Sequence, residues 1–149
     1  MIEILVVVAL FAALTSLGVI IAFDSIVRST VHNERDIVVL ALAGARARAL
    51  ANVNEKSHGV QITSDSVIVF EGDDPASDPN KVTTGRSSSI VVSPEPAVVI
   101  FSQLTGNATT DGSTKCDPEN SPLFPCSITL SDGSKNAVID INTYGRVEW

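Results

Sequence analysis

The sequence predicts an α+β fold: a long N-terminal helix, apolar in its first half and amphipathic in its second, packed on a C-terminal antiparallel β-rich head. Three observations predict it. Ile4 to Phe23 (ILVVVALFAALTSLGVIIAF) run 20 positions without a charge. Beyond them apolar residues recur at helical spacing as far as Val53. From His58 onward the pattern turns to short β-branched runs broken by Asp, Gly, Pro and Ser. The 149 residues suffice for one ordinary domain, so the two regimes divide into 1–28 and 29–149. The second comprises an amphipathic helix half, 29–54, and a β-rich region, 58–149.

At about 1.5 Å per residue, Ile4–Phe23 measures roughly 30 Å as a helix, the thickness of a bilayer hydrocarbon core. The run therefore reads as a membrane-spanning helix, represented by Ile4, Leu5, Val6, Phe11, Gly18 and Phe23. A cleaved secretory signal is excluded: such signals begin with basic residues, and here the only early charge is Glu3, with no Lys or Arg before Arg28. Thr15 and Ser16 are expected to bond backbone carbonyls one turn back. Gly18 and Gly44 are places for a bend or a close helix contact.

Val27, Val31, Val38, Leu42, Ala45, Ala49 and Val53 then keep to one helical face. Ala and Arg, both good helix formers, fill Ala41–Ala51. Asn52, Asn54 and Ser57-His58-Gly59 supply the stop. The prediction is one helix of about 50 residues, on the order of 75–80 Å long.

Seven strands follow. Val60–Thr63 and Val67–Phe70 form a hairpin across Ser64-Asp65-Ser66. Residues 72–88 (GDDPASDPNKVTTGRSS) form a loop by composition. Ile90–Val92 and Ala97–Phe101 lie around Pro94 and Pro96, which weaken pairing locally. Ser127–Leu130 turns at Asp132-Gly133 into Ala137–Ile141. Tyr144-Gly145 turns again into Arg146–Trp149.

The net charge of −7 lies wholly in the C-terminal part, because residues 58–149 hold 12 acids against five bases. Such a surface repels phosphate backbones, so nucleic acid is not an expected partner. Cys116 and Cys126, with nine residues between them in a polar loop, lack further ligands for zinc and are expected to form a disulfide. A bond closing so short a loop contributes about 2–3 kcal/mol. Asp73, Asp74 and Asp78 share a loop but match no calcium motif. No metal or cofactor is expected. Asn107-Ala108-Thr109 fits a glycosylation triplet that arises often by chance. His32 and His58 have no nucleophile or acid in a catalytic arrangement beside them, and a solvated or capping role is expected for both. Arg46 and Arg48 are expected to pair with acids of the head or of neighbouring subunits. Tyr144 and Trp149 are expected to pin the last strand to the core, the alternative being an exposed contact for a partner.

The opening residues Met1-Ile2-Glu3-Ile4-Leu5-Val6-Val7-Val8 resemble the type IV pilin superfamily, whose processed N-terminus reads Phe-Thr/Ser-Leu-Ile-Glu before an apolar helix. The likeness starts at Ile2-Glu3 and is close over about 20 residues, with Glu3 in the place of the family glutamate. Within that superfamily the chain is most similar to the H-type minor pseudopilins and their FimT-like relatives. The segments that carry this are ARARALANVNEKSHGVQI and AVIDINTYGRVEW. Two features depart from the pattern. The Gly and Phe around the processing point are not present before Ile2, which implies a truncated or misassigned start. Glu148 stands where DNA-binding relatives are more basic.

The resemblance implies a non-enzymatic subunit that joins or primes a type IV pilus or a type II secretion pseudopilus. Glu3 would neutralise the N-terminal amine of a neighbouring subunit as helices stack. Implied partners are other pilin or pseudopilin subunits, a prepilin peptidase, an inner-membrane assembly platform, and the membrane before assembly, with processing and N-methylation of the N-terminus implied by the same likeness. The implied location is a single pass through the inner membrane with an extracytoplasmic head, then a filament or the cell surface. The alternatives are a DNA-uptake or adhesion pilin and, less in keeping with the residues, a membrane-anchored extracytoplasmic enzyme.

Overall fold

The computed structural model describes residues 2–110 and 127–149, with side chains in the first 29 residues described only at 3, 4, 6–8 and 10–12. Cys116 and Cys126, and with them the expected disulfide, lie outside the described residues. Leu5, Gly18 and Phe23 are helical, but their side chains lie outside the described set.

The first element, α1, is Ile2–Leu50. It is divided between two compact units, Met1–Thr30 and Val31–Trp149. In the first unit the described apolar side chains stand exposed. In the second, Val31, Val38, Leu42, Ala45 and Ala49 are buried as their spacing predicts, and Val39, outside the expected stripe, is buried beside them. Asn52 adopts a left-handed conformation, φ 55°, and a 3-10 turn, Val53–Glu55, leads into the strands. Val53 itself is exposed and does not continue the stripe.

Among the described residues nine strands follow: β1 (His58–Ile62), β2 (Ser66–Glu71), β3 (Val82–Gly85), β4 (Val91–Ser93), β5 (Ala97–Phe101), β6 (Ala108–Thr109), β7 (Ser127–Ser131), β8 (Asn136–Ile141) and β9 (Val147–Glu148). They form two antiparallel sheets, ordered β3-β2-β1-β5-β6 and β4-β7-β8-β9. Strand β8 alternates exposed and buried residues along its length, so one face meets the core and the other meets water. The core joins the helical stripe to Val60, Ile62, Phe101, Ile128, Leu130, Ile139 and Ile141. Opposite Phe70 in the register stands Gly59, where an added Cβ would collide with the Phe70 ring. The absent side chain is what lets the far end of that ring close on β1.

These observations correct the expected fold class. Only Val31–Leu50 of α1 belongs to the β-rich unit, so the fold is mostly β: two antiparallel sheets around a short helical segment. A long N-terminal helix packed on a head is not what forms. The physical reason is the extent of the sheets' apolar faces, which cover the helix from Val31 to Ala49. Two further strands also appear where none was expected. The stretch 72–88 contains β3, an edge strand exposed along its whole length, and β6 pairs with the end of β5.

The expected location is corrected as well. No helix among the described residues is long and apolar enough to cross a membrane. The helix that the β-rich unit holds is amphipathic and carries Glu34, Arg35, Asp36, Arg46 and Arg48, charges that hydrocarbon would not solvate.

Candidate functional site

In the first unit, Glu3 opens α1 and is exposed. There its carboxylate complements the positive end of the helix dipole. Ile4, Val6, Val7, Val8, Leu10 and Phe11 follow it, each between 47 % and 70 % exposed. Glu3, Ile4, Val7 and Val8 line a shallow hollow of about 350 Å³. Ile4, Val7, Val8 and Phe11 recur at i, i+3, i+4 and i+7, the spacing of a helix that seats itself in an apolar groove.

The second unit carries a groove of about 290 Å³ between the last turns of α1 and the C-terminus. Val39, Ala43, Ala47 and Leu50 form one wall, and Gly145, Arg146, Val147 and Trp149 the other, with Arg46 between them. The two walls are held together by a close approach. Arg46 Nη2 donates to the Tyr144 carbonyl at 3.1 Å, while its Nε is buried with no hydrogen-bond partner among the described residues. Gly145, at φ +73°, lies so close to the loop before β6 that a Cβ would collide with the Gly106 carbonyl oxygen. Gly106, at φ +64°, lies in turn against the Leu50 side chain. Only glycine accepts both the left-handed backbone and the contact. The Leu104 amide donates to the Ala49 carbonyl at 3.0 Å, which ties the same loop to the helix end.

The expectations for single residues fare unevenly. Tyr144 and Trp149 are 75 % and 64 % exposed, so neither pins the last strand, and that expectation is corrected. Arg46 is held by the Tyr144 carbonyl, and no ion pair to it is found among the described residues. His58 is fully buried, with Nε2 bonded to the Val53 carbonyl at 3.1 Å, so it ties down the 3-10 turn and is not solvated. His32 is exposed. Thr109 of the Asn-Ala-Thr triplet is buried, and its hydroxyl donates to the Ile100 carbonyl.

The acidic loop is occupied internally. Asp78 accepts from the amides of Glu71 and Asn80, each at 2.8 Å, and these bonds hold its carboxyl below the usual carboxylate range. Asp73 accepts from the Ser57 hydroxyl at 2.6 Å. Among the described residues no group of three or more His, Cys, Asp or Glu is arranged to hold a metal ion.

One polar cluster lies outside the sequence-based expectations. Glu34, 7 % exposed, sits within the buried stripe of α1. Its Oε2 meets Arg86 Nε at 3.0 Å and its Oε1 accepts from the Ser87 amide at 3.0 Å. Arg86 Nη1 also donates to the Thr63 carbonyl at 2.5 Å. This clamp joins the helix to the end of β3 and to the β1–β2 turn. A signal for it did exist: Glu34 falls three residues after Val31 and four before Val38, on an otherwise apolar face.

The sites thus comprise two exposed apolar features, one led by an acid and the other flanked by arginines, and an internal polar clamp. Compared with models of known protein families, with curated proteins and with solved structures, the chain finds no match.

Proposed function

We propose that this chain is a non-enzymatic structural subunit that assembles through its N-terminal helical turns into a filament of the pilin or pseudopilin kind. The observation that carries this reading is the exposed row Ile4, Val6, Val7, Val8, Leu10 and Phe11 behind Glu3. Burying a side chain of this size is worth about 1.5–3 kcal/mol, so contiguous exposed residues of this kind call for cover. Neighbouring subunits supply it when helices stack. A carboxylate carried into such an interface becomes tolerable only when paired, which makes Glu3 the residue that sets register. Its likeness to the pilin glutamate, at the head of a similar apolar helix, supports the same role.

The test is assembly by the full chain in cells that produce filaments, read as the amount of subunit in sheared filament fractions. Glu3→Ala and Glu3→Leu are expected to reduce incorporation at least tenfold, while circular dichroism of the purified chain stays unchanged. Incorporation of either variant at the wild-type level would overturn the reading.

A further inference from the structure

We infer that the groove between the last turns of α1 and the C-terminal strand receives the Glu3-led helical turns of a second copy of this chain. The inference rests on the assembly reading above and names the surface that assembly would use. The groove wall formed by α1 suits a helix. Ala43 and Ala47 lie one turn apart, both exposed, and nothing stands within 4 Å of where a Cβ on Gly44 would be. Small residues at this spacing let a second helix approach closely. Exposed Leu40 and Trp149 extend the apolar surface on either side.

Charge selects the occupant. The groove is lined by two cations, Arg46 and Arg146. The Arg146 side chain is 74 % exposed, with Glu148 at 3.4 Å as its one ion-pair partner among the described residues. A second copy of the same groove would set arginine against arginine. A nucleic acid would meet a unit holding 15 acids against nine bases. The Glu3-led turns instead bring one carboxylate followed by Ile4, Val7, Val8 and Phe11 on a single helical face. That is an acid for the arginines and apolar anchors for the Ala43–Leu50 wall.

The experiment uses the full chain with a benzophenone side chain in place of Val7, mixed in filament-producing cells with isotopically heavy wild-type chain. After irradiation, adducts are mapped by mass spectrometry. The expected adducts fall on heavy residues 43–50 or 147–149. Ala43→Trp, which fills the groove from an exposed position, is expected to lower them about tenfold with no change in thermal melting. Glu3→Arg is expected to lower them at least tenfold, and Arg146→Glu in the partner copy to restore them. Filaments whose adducts fall on another face or another protein would overturn the docking site and leave the assembly reading standing. Undiminished adducts in Ala43→Trp would do the same. If the wild-type chain enters no filament, both are overturned.

Discussion

Two residues show how far local chemistry reaches in this protein. Arg86 has no exposed side-chain surface, and Glu34 almost none, so neither charge is solvated without the other. Removing one member of such a buried pair costs about 3–5 kcal/mol, because the survivor stays desolvated and unpaired. Glu34→Ala should therefore lower the free energy of unfolding by about that amount, measured by urea denaturation of the full chain. The double change Glu34→Leu with Arg86→Met should recover most of it, since it leaves no buried charge. Glu34 could be singled out from its place on the apolar stripe. Arg86 could not, because 52 positions separate them and no local pattern links the two. At the N-terminus the situation is reversed. Glu3 is conspicuous in sequence as the single acid ahead of an apolar run, and its predicted role in assembly is tested by the Glu3→Ala incorporation measurement.

Among the elements, the β7–β8 hairpin shows a turn whose chemistry was legible in advance. Asp132-Gly133 was expected to reverse the chain, and Gly133 takes φ +89° there. The Asp132 carboxylate accepts from the amides of Ser134 and Lys135 at 2.8 and 2.7 Å, and these bonds, with the Ser134 hydroxyl, hold its carboxyl below the ordinary range. Since the folded value lies below the unfolded one, the stabilisation is present above the unfolded pKa. It is lost as pH falls through the folded value. Asp78 acts in the same direction through its own amide bonds, and so does Glu95 through the hydroxyl and amide of Ser64. Thermal stability should thus decline in acid below about pH 4. Asp132→Asn should shallow that decline when melting temperatures are compared at about pH 5 and about pH 3. An acid limb as steep as wild type would remove Asp132 from the account. The strands that went unread, β3 and β6, are short and lack an alternating pattern. They are strands because β2 and β5 offer open edges to them.

For the whole molecule, the decisive feature is the division at Thr30. The unit Val31–Trp149 contains the helical stripe, both sheets and the Glu34–Arg86 clamp, so it holds its own core. A chain of residues 31–149 should unfold cooperatively, with a melting temperature within about 5 °C of the full chain. Loss of cooperativity on truncation would mean that the first 30 residues complete the core. By itself the sequence determined the features whose causes are local. These are the helical face Val31–Ala49, its end near Asn52, the β1–β2 and β7–β8 hairpins, and the apolar turns behind Glu3. Each follows from a periodicity or a turn residue within a few positions. Tertiary structure alone decided that β1 pairs with β5 and β4 with β7, that Glu34 meets Arg86, and that Arg46 and Trp149 border one groove. It also decided the fold class, because the length of helix that joins a core depends on how much apolar sheet is available to cover it. Here that cover reaches from Val31 to Ala49, and the result is a mostly β unit.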